Sequence, residues 1–255
     1  MLNEKFKNKL NHGEKVFGTF VKINNTAIVE MLGQKGFDFI IIDREHSVFT
    51  DIDIEKMIMA GDTCGLPVMV RTPGDSSEHI LHALDSGAYG VQVPNLKNIE
   101  QIKEVVNNVK YYPAGSRGLS FAQRAAGYGF HGGKEYIEAS NKNSVISIHI
   151  ENREMAERIE EVCKIPQVDI LFVGPADLSQ SMGKPGQTDD TEVVNLIKNV
   201  FSTAIQNDKK IGIYVGSEEA LKKYADWGAT YFAWKSDVLM FAEEIKSSDQ
   251  IFRNL

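Results

Sequence analysis

The sequence predicts a single (β/α)8 (TIM) barrel, and three observations carry the prediction. Eight short apolar, β-branched runs recur along the chain, at 16–21, 37–42, 67–70, 89–93, 145–150, 169–173, 211–215 and 231–234. Such runs, bounded by turn signals, read as parallel strands buried on both faces. Segments between them, among them 98–109, 154–163 and 191–206, carry apolar residues three and four apart, the period of an amphipathic helix. The alternation fits into 255 residues, close to the ~250 that a closed eightfold barrel needs. An open doubly wound sheet is the runner-up. One domain, residues 1–255, is expected.

Taken in order, the run at 16–21 opens the alternation, and a helical stretch then leads through Gly36-Phe37-Asp38 into the second run. The same signal recurs at Gly87-Ala88-Tyr89 and Gly228-Ala229-Thr230, a glycine just past a helix being its usual stop. All seven prolines fall outside the expected helix interiors, where they would break the backbone ladder. Between 109 and 145 the rhythm is interrupted by about 35 glycine-rich residues that include Arg117 and Arg124, and so long a connection is expected to be functional or disordered. Gly132-Gly133-Lys134 follows no strand and lacks the rest of a P-loop, so it is not read as a phosphate cradle. The sixth run ends in Gly174, Pro175, Ala176 and Asp177. Gly174 and Ala176 let a ligand approach the backbone, and Asp177 places a carboxylate beyond the strand's C-terminal end, where barrels hold their chemistry. Asp177 also reads as a cap for a helix starting near Leu178.

Composition narrows the function. With 42% apolar and 25% charged residues the chain is ordinary for a globular protein, and no apolar run approaches the ~20 residues of a membrane span. The first fifteen residues lack the apolar stretch of a signal peptide, so a cytoplasmic location is expected. Cys64 and Cys163 suggest neither a disulfide framework nor a zinc cage. A net charge of −7 and the lack of a basic stripe argue against nucleic acid, leaving a small molecule as the expected ligand.

Four strand ends then bring ionisable groups to one face. After the second run, Asp43 and His46 are close enough for a carboxylate to orient an imidazole, a general-base arrangement; a charged surface turn is the alternative. Arg71 ends the third run with donors suited to a carboxylate or oxyanion, or to a salt bridge at the rim. Glu151 and Asp177, from neighbouring strands, would repel unless a cation lay between them, and two carboxylates with positions open to water or substrate suit Mg²⁺ or Mn²⁺, with Co²⁺ a further candidate. His149, two residues before Glu151, shares its face and reads as a third ligand or as a group behind the ligands. His79 and His82 read as a partly exposed helix face, and His12 and His131 have no evident partners.

In this order and spacing the chain resembles the HpcH/HpaI family of class II pyruvate-dependent aldolases, of the phosphoenolpyruvate/pyruvate barrel type, over residues 13 to about 241. The motifs are GFDFIIIDREH (36–46), PVMVR (67–71), LDSGAYGVQVP (84–94), SRG (116–118), RAA (124–126), ASNKN (139–143), IE (150–151) and VGPADLSQSMG (173–183). The resemblance implies that Glu151 and Asp177 bind the metal, that Arg71 contacts the ketone oxygen, and that His46 and Asp43 form a base dyad acting through a water. It further implies that Gly174 and Ala176 cradle the pyruvate carboxylate and that Asp85 reaches a neighbouring subunit's site. Homohexamers whose subunits exchange a C-terminal helix are implied as well, so the segment after Asp237 is expected to pack on a neighbour.

Where relatives commonly carry glutamine, leucine, valine and glycine, this chain has His149, Tyr214, Trp234 and Lys235. All four are expected to face or rim the pocket, with His149, Tyr214 and Trp234 as substrate contacts. Lys235 is also the strand-end candidate for a Schiff-base mechanism. The expected activity is cleavage of a 4-hydroxy-2-oxo acid or 2-keto-3-deoxy sugar acid to pyruvate and an aldehyde. An acyl-CoA-type carbon–carbon lyase, a metal-dependent sugar-acid isomerase or epimerase, and a non-catalytic binding barrel are the alternatives.

Overall fold

Successive residues of a strand point to opposite faces, so each apolar run carries two sets of side chains that need burial. A closed barrel wrapped by helices buries both. In the computed structural model, which describes residues 4–34 and 36–254, the runs form β1 (Val16–Val21), β2 (Phe39–Asp43), β3 (Val68–Arg71), β4 (Gly90–Val93), β5 (Val145–Ile150), β6 (Ile170–Val173), β7 (Lys210–Val215) and β8 (Tyr231–Ser236). Each pairs in parallel with its successor and β8 returns to β1, closing the ring. The (β/α)8 expectation holds, with strand ends moved by no more than two residues.

Phe20, Phe39, Ile41, Met69, Phe172 and Tyr231 belong to the cluster that fills the barrel. Ile40, Ile42, Val68, Val70, Ile146 and Ile148 belong to the second cluster, beneath the helices. Full burial is worth roughly 1.5–3 kcal/mol for each large apolar side chain, so the two clusters dominate the stabilisation. The inward phase also builds the site. Phe39 and Ile41 lead to Asp43, Met69 leads to Arg71, and Ser147 and His149 lead to Glu151, so each carried-on inward position emerges at the C-terminal mouth.

At the other end, the helix Glu4–Asn11, which was not anticipated, plugs the barrel. Its Phe6 and Leu10, four apart and so on one face, join the interior cluster, with the Phe6 ring 5.5 Å from that of Phe39. The long segment 110–144 is ordered rather than loose. It holds a 3₁₀ turn, Arg124–Gly129, and a helix, Gly133–Asn143. Lys110 donates to the carbonyls of Asn141 and Ser144, and Asn141 bonds the backbone of Tyr111 through both ends of its amide. Because the segment leaves a helix C-terminus and feeds β5, it covers the N-terminal face, opposite the mouth. Gly36, Gly87 and Gly228 stand at φ +89°, +99° and +101°, as a helix stop before a strand requires. The expected helix 154–163 is broken at Arg158 into Arg153–Glu157 and Ile159–Cys163.

The C-terminal helix Asp237–Arg253 is anchored in its first half, where Asp237 accepts the backbone N–H groups of Lys22 and Ile23 at 2.9 Å and Glu243 pairs with Lys235 of β8. Beyond that, Phe241, Ile245 and Phe252 are 62%, 53% and 74% exposed. Among the described residues no helix is long and apolar enough to cross a membrane.

Candidate active site

Glu151 emerges from β5 with both carboxylate oxygens engaged. His149 Nδ1 lies 2.7 Å from Oε2, and the backbone N–H of Asn95 donates to Oε1. Asn95 presents that N–H from φ +62°, a left-handed conformation that asparagine tolerates better than most residues. Burial alone would raise the Glu151 carboxyl, but the His149 contact, the Asn95 N–H and the Arg71 charge hold it below the usual range.

Asp177 stands in the first turn of the helix Pro175–Ser181, whose N-cap is Gly174, so it is not the cap residue. Its carboxylate is exposed and has no hydrogen-bond or ion-pair partner among the described residues. The two carboxylates both approach residue 174. A Cβ there would lie 3.4 Å from Asp177 Oδ2 and 3.8 Å from Glu151 Oε2. Two hard-oxygen side chains flanking Gly174, that of Asp177 unpartnered among the described residues, are of the kind that holds a divalent cation drawing its remaining ligands from water and substrate.

Across the mouth, Arg71 holds Asp43 through Nε and Nη2 at 2.8 and 2.7 Å, reaches Glu45 Oε2 through Nη1 at 2.8 Å, and lies 4.6 Å from the Phe20 ring centroid. Lys22 Nζ is 2.8 Å from Asp43 Oδ2. Asp43 is fully buried. That burial would raise its carboxyl, yet the Arg71 fork and the Lys22 ammonium outweigh it and hold the pKa at about 2.

The expected Asp43–His46 dyad takes a different form. With its oxygens committed to two cations, Asp43 accepts the backbone N–H groups of Glu45 and His46, at 3.1 and 3.2 Å, and not the His46 imidazole. The imidazole turns outward, 60% exposed, with Nε2 at 3.6 Å from Glu45 Oε2, so Glu45 is the carboxylate beside it. His46 nevertheless lines the cavity of about 600 Å³ at the mouth, together with Arg71, His149 and Asp177. The cavity thus gathers an imidazole, a guanidinium and the Asp177 carboxylate over a floor of Phe20, Phe172 and Tyr214, with Glu151 held by the lining residue His149. Such a set can bind a 2-oxo acid and stabilise the charge that develops on its keto oxygen.

Residues 16–243 match the family described as HpcH/HpaI aldolase/citrate lyase. The chain belongs to that family. It is 31% identical over 249 residues to a 5-keto-4-deoxy-D-glucarate aldolase of Klebsiella pneumoniae, covering 98% of this chain and 96% of the relative. It is 30% identical over 251 residues to an Escherichia coli enzyme of the same name, with the same coverage. Among solved structures, an HpcH/HpaI aldolase from Desulfitobacterium hafniense superposes with a TM-score of 0.91 at 27% identity, over 98% of this chain and 96% of that one. A citrate synthase, SbnG, superposes with a TM-score of 0.88 at 27% identity over 97% of each chain. This protein is accordingly an enzyme of the aldolase type, a carbon–carbon lyase.

The remaining candidates of this HpcH/HpaI enzyme fall into three groups. Gly174, Ala176, His149, Tyr214 and Lys235 line the mouth as expected. Trp234 does not, because strand alternation puts it on the face opposite Ala233 and Lys235, where it packs against Phe17 with ring centroids 6.1 Å apart. Asp85 ends the helix Ser77–Asp85 and pairs with Arg117 at the N-terminal face, far from its own chain's carboxylates. Lys235 is held by Glu243 at 2.6 Å.

Four residues escaped the sequence reading: Lys22, Glu45, Gln92 and Asn95. Gln92 was the most legible, a polar residue in the inward phase of an apolar strand. Its amide lies 2.8 Å from His149 Nε2 and so holds the ring that holds Glu151.

Proposed function

We propose that this aldolase cleaves a 4-hydroxy-2-oxo acid, of the 2-keto-3-deoxy sugar-acid type, to pyruvate and an aldehyde, with a divalent cation, Mg²⁺ or Mn²⁺, between Glu151 and Asp177. The observation that carries the reading is the approach of both carboxylates to Gly174, with the Arg71 charge acting on Glu151. A cation held there supplies Lewis acidity toward the carboxylate and keto oxygens, worth several kcal/mol. The chain's own residues do the rest.

The substrate carboxylate lies against the backbone beside Gly174, whose own N–H donates to the Ile150 carbonyl, and takes the N–H of Ala176 in a first helical turn whose N–H groups have no intrahelical acceptor. His46, acting through a water in the open mouth, takes the proton from the C4 hydroxyl. General-base help of this kind contributes about 10²–10⁴. As the C4 hydroxyl becomes the aldehyde carbonyl, the C3–C4 bond breaks and its electron pair passes into the enolate of pyruvate. Arg71 donates to the enolate oxygen from a geometry already fixed by Asp43 and Glu45, so no reorganisation is needed as charge develops. A proton returned to C3 gives pyruvate.

The reading keeps one barrel domain for the whole reaction. It includes a homohexamer in which Asp85 serves a neighbour's mouth, supported by the distance of Asp85 from its own site. The exposed Phe241, Ile245 and Phe252 support docking of the C-terminal helix on another copy. Two free thiols suit the reducing cytoplasm.

The test is exchange of the pyruvate methyl protons into deuterium oxide, followed by NMR on chelator-stripped protein with and without Mn²⁺ or Mg²⁺. Exchange that appears only with metal is expected. Its absence with every metal overturns pyruvate as the nucleophile.

A further inference from the structure

Strand β1 has an inward phase of its own that the cleavage steps leave unused. Phe20 points into the barrel, and the next inward position, two residues on, is Lys22, just past the strand's C-terminal end. Lys22 lines the mouth cavity, and its Nζ lies 2.8 Å from Asp43 Oδ2. The base of its side chain is fixed. Asp237, at the start of the C-terminal helix, accepts its backbone N–H and that of Ile23, so the ammonium is delivered from a clamped backbone rather than from a free loop.

The neighbouring strands decide what the ammonium meets. β1, β2 and β3 are consecutive in the ring, so Lys22 and Arg71 reach Asp43 from its two sides. Arg71, the group assigned to the enolate oxygen, already holds two carboxylates, Asp43 and Glu45. One cation against two anions would turn a net negative wall toward an oxygen that gains charge as the C3–C4 bond breaks. Lys22 restores the balance. It takes the same Oδ2 as Arg71 Nη2, at 2.8 against 2.7 Å, and with it two cations face two anions. Solvent cannot substitute for it at Asp43, whose side chain is fully buried.

We infer that Lys22 is a positioning residue for enolate formation: acting through Asp43, it balances the second carboxylate on Arg71 and keeps the guanidinium electropositive toward the keto oxygen. The inference rests on the aldolase reading above. It adds that the electrophilic wall of this mouth is a unit of four charges rather than Arg71 alone, and that Lys22 acts without touching the substrate. Because the charge it offsets is complete only in the enolate, its effect falls on kcat more than on KM.

The experiment follows pyruvate methyl exchange into deuterium oxide on the full chain with Mn²⁺, in wild type, Lys22→Gln, Lys22→Met and Lys22→Arg. Oxalate serves as a second probe, since it is planar and carries negative charge where the enolate does and pyruvate does not. Lys22→Gln keeps an N–H for Asp43 and loses the charge. It should lower kcat for exchange by about 10- to 100-fold and weaken oxalate inhibition by about 10-fold, with the pyruvate KM changed by less than about 3-fold. Lys22→Met should behave as Lys22→Gln does, and Lys22→Arg should recover most of the rate. Wild-type kcat in Lys22→Gln, equal weakening of oxalate and pyruvate, or no recovery in Lys22→Arg overturns the role of Lys22. So does loss of the folded circular dichroism spectrum in both uncharged variants, which would place the ammonium in the fold instead. Exchange in wild type separates the two readings. Its absence fells the enolate mechanism and this inference with it, whereas exchange that the Lys22 variants leave unchanged fells only the assignment of Lys22.

Discussion

At the N-terminal end of the barrel, Arg117 is met by Asp85, Arg124 by Asp62 and the Ser86 carbonyl, Lys7 by Asp169, and Lys110 by two backbone carbonyls. At the C-terminal end, Asp177 has no such partner among the described residues, the His46 ring faces solvent, and Gly174 lies between two carboxylates. Charge at the first end is spent on closing the structure, whereas at the second Arg71, Asp43 and Lys22 hold one another while Asp177 and His46 are left available to a ligand. Cavity size alone would have chosen wrongly. The larger space, about 740 Å³, lies at the N-terminal end, and its two guanidinium groups are already paired.

The largest effect that could break this contrast comes from the open carboxylates. Glu151→Gln and Asp177→Asn should each lower metal-dependent pyruvate exchange by about 10³-fold or more, the loss expected when a cation's several kcal/mol are removed. Circular dichroism should change little in either variant, and the thermal midpoint should change little in Asp177→Asn, whose carboxylate is exposed, while Glu151→Gln keeps an oxygen for the Asn95 N–H. Wild-type exchange and metal dependence in either variant would mean that the cation does not act beside Gly174.

A smaller effect compares two buried arginines, one at each end. Arg71→Met leaves Asp43, fully buried, with only Lys22 as a charged partner. A buried charge stripped of its main counter-ion is costly, so about 3 kcal/mol of stability should be lost in urea unfolding, along with pyruvate exchange. Arg117→Met strands Asp85, but that side chain is 24% exposed and can hydrate, so about 1 kcal/mol is expected. Equal losses would show that burial of the partner carboxylate is not what distinguishes the ends.

These contrasts also show what could be seen in the sequence. The barrel was legible because strand alternation and the glycine stops are local signals, and the inward phase of β2, β3 and β5 carried Asp43, Arg71 and Glu151 to the mouth with them. The N-terminal plug was missed because one turn with Phe6 and Leu10 is too short a pattern to stand out. Trp234 was placed on the wrong face although the period-two rule, applied from Tyr231, assigns it outward. The His46 dyad was misread for a different reason. Sequence proximity puts Asp43 near His46, but the competition for its oxygens is won by Lys22 and Arg71, which arrive from other strands, and no local signal reports a contact of that range.

Asp43 offers the finest measure of the difference between the ends, through pH. Its folded pKa, about 2, lies below the ordinary value of 3.8, so the folded state holds the carboxylate ionised where the unfolded chain would protonate it. The resulting stability is fully present above about pH 4 and is lost as the pH falls toward 2, with a total of about 2 kcal/mol. Other carboxylates also titrate in this range, so the total slope does not isolate Asp43. The comparison with Asp43→Asn does. Urea midpoints collected between pH 6 and pH 2.5 should fall less steeply in the variant below pH 4, although the variant starts less stable because Arg71 and Lys22 lose their shared anion. Parallel curves would show that the buried Asp43 carboxylate is not held ionised by those two cations, and that Arg71 is then free to move when a substrate enters.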